Sequence, residues 1–136
     1  MIGNGNIRFF NDIARAVSAT SCDAVMSAEG LLSNPSLFSG DQPAAADEAR
    51  AYFAFFEKSR GGANISSLKT FLFRIWRIGL LKHTEMRFEL DLLGKLEEFI
   101  RWNEKMAQKS SQICQPYIRE SKEVREYTKE NLSEVG

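Results

Sequence analysis

Two short stretches of this 136-residue chain carry residue types that can hold an anion. Asn4-Gly5-Asn6 and Ala28-Glu29-Gly30 combine small side chains, which let peptide N–H groups approach phosphate oxygens, with amides that donate hydrogen bonds or cap a following helix. At Glu29 the backbone N–H is the expected contact, because a carboxylate aimed at a phosphate repels it. Gly-containing loops flanking a helix also occur as plain turns, so spacing alone leaves both readings open. A second feature is charge. Eighteen Lys and Arg balance 18 Asp and Glu, yet the segment from Lys58 to Arg87 holds seven basic residues and one acidic residue, Glu85, whereas residues 1–50 hold three basic against six acidic. A basic segment favours anionic partners, nucleic acid above all, or is a solvated helix face. The remaining chemistry is sparse. One His and two Cys that stand 92 positions apart supply no set of four zinc ligands and no CxxC pair, so a metal role is not expected.

The elements that must position the loops follow from periodicity and punctuation. Gly3-Asn4-Gly5-Asn6 is a turn signal, and Asn11 or Asp12 can cap a helix with Ile13, Ala16 and Val17 on one face. Thr20-Ser21-Cys22-Asp23 ends that helix. Ala24-Val25-Met26 reads as a short buried strand, and Met1-Ile2-Gly3 as the end of another. Together they predict a βαβ unit in which the loops after both strands point the same way. In eight-stranded β/α barrels the last two such loops commonly form a phosphate site. A complete barrel needs about 250 residues, so this chain is too short to be one.

From residue 41 the pattern is helical. Ser39 or Asp41 can cap a helix with Pro43 in its first turn and Ala49, Tyr52, Phe53 and Phe56 on one face, ended by Gly61-Gly62. A second helix, about Ser66 to Lys82, puts Leu68, Phe71, Leu72, Ile75, Ile78 and Gly79 on one arc. Thr70, Arg74 and Arg77 oppose them, with Lys69, Phe73 and Trp76 on the flank. A third, about Met86 to Lys109, turns Leu92, Leu93, Leu96, Phe99 and Ile100 inward. The expected fold class is thus a barrel remnant, the last βαβ unit of a TIM barrel, followed by an all-α bundle, with the chain mainly α. Phe73 and Trp76 either pack on a neighbouring helix or stack on RNA; His83 caps or packs at a helix end. Cys22 and Cys114 read as packed thiols. No apolar run approaches the roughly 20 residues of a membrane span, and the start lacks a signal-peptide pattern, so an intracellular, soluble protein of cytoplasm or nucleus is expected.

The residues themselves go further than the pattern. Asn4-Gly5-Asn6-Ile7 followed by Cys22-Asp23-Ala24-Val25-Met26-Ser27-Ala28-Glu29-Gly30-Leu31-Leu32-Ser33-Asn34-Pro35-Ser36-Leu37-Phe38 resembles the end of the barrel of the tRNA-dihydrouridine synthases, nearest to the eukaryotic 16/17-type branch. Lys69-Thr70-Phe71-Leu72-Phe73-Arg74, His83-Thr84-Glu85-Met86-Arg87 and Ile113-Cys114-Gln115-Pro116-Tyr117-Ile118-Arg119 are similar to blocks of that branch's C-terminal domain. Phe71 stands where the family often has His, and Gly3 where it usually has Ala.

The resemblance implies residues 1–40 as the end of an FMN-binding barrel, 41–119 as a helical tRNA-binding domain and 120–136 as a charged, frayed tail. It implies an FMN phosphate held by Asn4, Gly5, Asn6, Ala28 and Glu29, and tRNA contacts from Lys69, Arg74, Arg77, Lys82 and Arg87. It implies reduction of D-loop uridine with FMN and NADPH, no membrane or metal partner, and a catalytic Cys in an upstream barrel portion that these residues do not include. The alternative is a non-catalytic RNA-binding helical module.

Overall fold

The computed structural model describes residues 1–4, 7–59 and 64–117. Strand β1 (Ile2–Asn4) and strand β2 (Ala24–Met26) pair in parallel, with Ile2 opposite Ala24, Gly3 opposite Val25 and Asn4 opposite Met26. Helix α1 (Asn11–Thr20) crosses between them. Neither proposed residue caps it in the usual way. Instead the Asp12 carboxylate reaches back to accept the Arg8 and Phe9 N–H groups at 3.0 and 2.9 Å, fixing the incoming loop to the first helical turn. Ser21 closes the helix in the left-handed region, at φ 54°, its N–H donating to the Val17 carbonyl. Residue 3 must stay small there: a Cβ on Gly3 would stand 3.1 Å from the Cys22 sulfur.

After β2 the short helix α2 (Glu29–Ser33) leads into a buried Asn34. Its side chain accepts the Ser36 N–H at 3.0 Å and donates to the Asp41 carbonyl at 2.8 Å, bracing the turn around Pro35 and the single 3-10 turn Leu37–Ser39. Parallel strands with a helical crossover thus stand where the periodicity placed them, and the described chain is mainly helical. The expected burial of β2 is not met: Ala24 and Met26 are exposed and Val25 half-buried, because among the described residues the two-stranded sheet has no further layer to cover them.

The helical part departs from expectation in three places. Helix α3 spans Ala45–Lys58, starts later than a Ser39 or Asp41 cap would require, and has no side-chain cap. The returning chain does that work: the Ala45 N–H donates to the Gln112 carbonyl at 2.9 Å and the Cys114 N–H to the Pro43 carbonyl at 2.8 Å, around an antiparallel bridge between Ala44 and Ile113. Gly61-Gly62, the expected stop, lies outside the described residues.

The single helix expected over 66–82 is two, α4 (Ile65–Ile75) and α5 (Arg77–Lys82), parted at Trp76. The cause is an inserted amide. In an unbroken helix the Gly79 N–H would donate to the Ile75 carbonyl; here Gln112 takes both, its Nε2 donating to Ile75 at 2.6 Å and its Oε1 accepting from Gly79 at 2.7 Å. Asn64, not foreseen as a cap, accepts the Ser67 N–H at 2.9 Å and starts α4.

The helix expected over 86–109 is likewise two, α6 (Thr84–Asp91) and α7 (Leu96–Lys109). Lys69 donates to the Asp91 carbonyl at 2.6 Å, a cation on the last carbonyls of α6. The break changes the phase of the apolar face. Leu92 is 84% exposed and Ile100 lies open, while Trp102, Asn103 and Met106 are buried in their place.

The core is drawn from α3 to α7. Ala49 and Phe53 meet Leu68, Leu72, Ile75, Met86, Leu90 and Phe99, with Trp76 edge-on to Trp102 at 6.5 Å. Asn103 is the polar centre: it accepts the Trp76 indole N–H at 2.9 Å and donates to the Ala46 carbonyl at 3.1 Å. Phe71 stacks on Tyr52, centroids 4.1 Å apart, which gives it an apolar task. Among the described residues no helix is long and apolar enough to cross a membrane.

Candidate phosphate cleft and basic groove

The parallel pairing sends the loops after β1 and β2 to the same end of the sheet, where they enclose a cleft of about 230 Å³ lined by Asn4, Ile7, Arg8 and residues 26–30. Two contacts lock them together. The Ser27 hydroxyl donates to the Ile7 carbonyl at 2.7 Å, and Gly30 sits so close to that loop that a Cβ would lie 2.3 Å from the same carbonyl oxygen and 3.0 Å from the Arg8 Cα. Any side chain at residue 30 would push the loops apart. The first bond inside α2 runs from the Leu32 N–H to the Ala28 carbonyl, and among the described residues the Ala28 and Glu29 N–H groups have no backbone partner.

Of the five residues expected to hold a phosphate, Asn4, Ala28 and Glu29 line this cleft, and Gly5 and Asn6 lie outside the described residues. The Glu29 carboxylate pairs with Arg74 at 3.3 Å. Arg8 is the lining residue that sequence reasoning missed. Its signal was modest: it is the cation nearest to Asn4-Gly5-Asn6 in the chain. Asp12, whose carboxylate fixes the backbone of this loop, is held below the usual carboxylate range, first by the Phe9 N–H and then by the Arg8 N–H, with burial opposing.

A groove of about 240 Å³ gathers Arg74, Arg77 and Arg87 over Phe73, Leu80 and Leu81. Arg77 also lies over the Tyr117 ring, 4.8 Å from its centroid. Thus three of the five basic residues singled out from the sequence line one groove. The other two stand elsewhere: Lys69 is engaged at the end of α6, and Lys82 is exposed at the end of α5, outside the groove lining. The aromatic pair divides, Trp76 being sealed in the core and Phe73 half-buried at the groove floor.

His83 sits between α5 and α6, its backbone N–H closing α5 on the Gly79 carbonyl and its ring 3.7 Å from Glu85. Both cysteines are buried free thiols. Burial, with the Glu48 charge adding to it, pushes Cys114 up to about 12. Among the described residues no three His, Cys, Asp or Glu side chains gather as a metal site.

Two short parallel strands joined by a helical crossover, with their carboxyl-end loops around a cleft, define a small α/β unit, continued here by a helical part with a basic groove. The chain belongs to the dihydrouridine synthase (Dus) family, whose profile matches residues 1–132. It is 33% identical, over 98% of its length, to a rat protein named tRNA-dihydrouridine(16/17) synthase [NAD(P)(+)]-like, and 32% identical, over 96%, to the mouse protein of that name. To the Saccharomyces cerevisiae tRNA-dihydrouridine(16/17) synthase [NAD(P)(+)] it is 31% identical over 82% of its length. It spans about a third of these relatives, 34%, 31% and 29% of their respective lengths. No solved structure shows a significant match.

Proposed function

We propose that this chain forms the C-terminal part of a tRNA-dihydrouridine synthase that reduces D-loop uridine with FMN and NADPH, working in the cytoplasm or nucleus. Residues 1–40 are the last βαβ unit of its flavin-binding TIM barrel, residues 41–119 its helical tRNA-binding domain, and residues 120–136 a charged tail. The observation that carries the reading is the cleft between the two locked loops. It opens at the carboxyl ends of parallel strands and presents peptide N–H groups, Asn4 and a guanidinium, which is the donor set a phosphate monoester needs. The missing Cβ at Gly30 is what lets the loops close around it.

When bound and reduced by NADPH, FMN would supply the hydride for the uracil ring. The residues of this chain bind and orient. The loop Asn4-Gly5-Asn6 and the N–H groups of Ala28 and Glu29 hold the phosphate, and Arg74 draws the Glu29 carboxylate aside. Arg74, Arg77 and Arg87 take tRNA phosphates in their groove, with Lys69 and Lys82 as outlying cations. Neither cysteine serves as the proton donor to uracil: both are buried, and burial makes the Cys114 thiol a weaker acid than a free one. That acid and the groups around the flavin ring belong to the upstream barrel portion, which activity requires.

A second reading has its own support. The main hydrophobic cluster is drawn from residues 45–114, with Ile7, Cys22 and Leu37 buried apart from it, so the helical part has the means to fold and bind RNA without a completed barrel, as a non-catalytic module. Flavin and tRNA binding separate the two. Retention of FMN by the purified chain through gel filtration, together with a tRNA mobility shift, is expected if the cleft is a flavin phosphate site. A tRNA shift with no flavin affinity, even after the chain is joined to the remaining family sequence, would leave only the module.

A further inference from the structure

Among the described residues that line the cleft one is cationic, and it is not one of the five expected from the sequence to hold a phosphate. Arg8 lines the cavity beside Asn4 and the Ser27-Ala28-Glu29-Gly30 loop. Its backbone is fixed at that place, since its own N–H and that of Phe9 both donate to Asp12, and its Cα would lie 3.0 Å from any Cβ added at Gly30. Among the described residues no carboxylate comes within 4 Å of the Arg8 guanidinium in an ion pair. The nearby acids have other engagements. Asp12 accepts two backbone N–H groups and faces Arg15 at 3.8 Å, and Glu29, the acidic residue of the lining, pairs with Arg74. The described lining thus holds one cationic residue and one acidic residue already engaged outside it, and the cation is a planar fork suited to two phosphate oxygens.

We propose that Arg8 is a ligand-binding residue that grips the terminal phosphate of the nucleotide held in this cleft and gives the cleft its preference for the phosphorylated over the unphosphorylated ligand. The proposal rests on the flavin-phosphate reading above and adds a residue to it. Backbone N–H groups alone accept a phosphate at any angle the loop permits. A guanidinium anchored beside them adds charge-assisted bonds that a neutral ligand end cannot use.

The test measures binding without turnover. The full 136-residue chain, and its Arg8→Gln and Arg8→Lys variants, are titrated with FMN and with riboflavin by flavin fluorescence, with inorganic phosphate as competitor. Circular dichroism checks that each variant is folded. The wild-type chain is expected to prefer FMN; Arg8→Gln should weaken FMN about ten- to a hundredfold, the range for losing a hydrogen bond to a charged group, and leave riboflavin unchanged. Arg8→Lys should keep part of the preference. If Arg8→Gln retains the wild-type preference for FMN, the assignment of Arg8 is overturned and the cleft reading stands. If the wild-type chain shows neither preference for FMN nor competition by phosphate, the cleft reading fails and Arg8 falls with it.

Discussion

Replacing Arg74, Arg77 and Arg87 together by Gln should change how salt acts on RNA binding, and by a calculable amount. All three guanidinia line one groove, so each can neutralise one phosphate of a bound strand. Counterion release gives a slope of about 0.7 in log affinity against log salt per single-strand phosphate, and about 0.9 for a duplex. The variant should therefore lose about two to three units of slope. Over a rise from about 50 to about 200 mM salt, that is roughly twenty- to fortyfold less affinity lost than in the wild type.

The Arg74–Glu29 pair does not alter this much, because an ion pair this exposed contributes about 0–1 kcal/mol and yields readily to a phosphate. Lys69→Gln is the contrast. Its ammonium already donates to the Asp91 carbonyl, so its loss should loosen the end of α6 and leave the slope near the wild-type value. Fluorescence anisotropy of a labelled tRNA transcript across that salt range reads both. An unchanged slope in the folded triple variant, or a drop in Lys69→Gln as large as one arginine contributes, would refute the groove as the contact surface.

Four further outcomes follow from the packing. Asn103→Ala strands the buried Trp76 indole N–H and should cost about 1–3 kcal/mol for the unmade bond, with the cavity adding to it, read by urea unfolding. Gln112→Ala removes the amide that parts α4 from α5; a loss of about 1–3 kcal/mol is expected, and wild-type stability would mean that Gly79 and Ile75 rejoin at no cost. Cys114, pushed up to about 12 by burial, should resist Ellman's reagent at about pH 8 until the chain unfolds. Its raised value favours the fold below the ordinary thiol range, a contribution lost as pH climbs toward 12. Asp12, held low by backbone N–H groups, contributes stability above the ordinary carboxylate range that disappears as pH falls through its depressed value. Asp12→Asn should flatten that acid limb, measured as thermal stability against pH.

What could be read in the sequence was local. Ala24–Met26 is a strand where a short apolar run lies between breakers, and Ser21 ends α1 where the polar cluster said it should. The loops of the cleft were legible for the same reason: small residues after an apolar run mark a strand end. The break at Trp76 was not legible, because its cause comes from far along the chain: nothing near Trp76 announces that Gln112 will occupy the Gly79 and Ile75 backbone groups. The break after Asp91 has a local mark, Gly94, which the run of apolar residues outweighed. A continuous apolar period over 86–100 therefore pointed Leu92 inward, although the interruption before Leu96 leaves it exposed and brings Trp102 and Met106 in. Arg8 was missed for a different reason. Small residues and amides are what mark a phosphate-holding loop in a sequence, and a cation two positions past Asn6 has no periodic mark.

The break at Trp76 also bears on function. In a straight helix Arg74 and Arg77 would project a little under one turn apart on a common face, and the following chain would leave along the same axis. Parting the helix redirects α5, and the turn at His83 then brings Arg87 of α6 to the groove that Arg74 and Arg77 share. Gln112 holds that redirection, and the segment carrying it is held in turn by the Ala44–Ile113 bridge and the Cys114 N–H bond to Pro43. The same segment continues to Tyr117, over whose ring Arg77 lies. Gln112 carries no charge and lies outside the groove lining, yet it bonds both sides of the break between Arg74 and Leu80, so a loss of RNA affinity in Gln112→Ala would accompany a change in the groove rather than a lost contact.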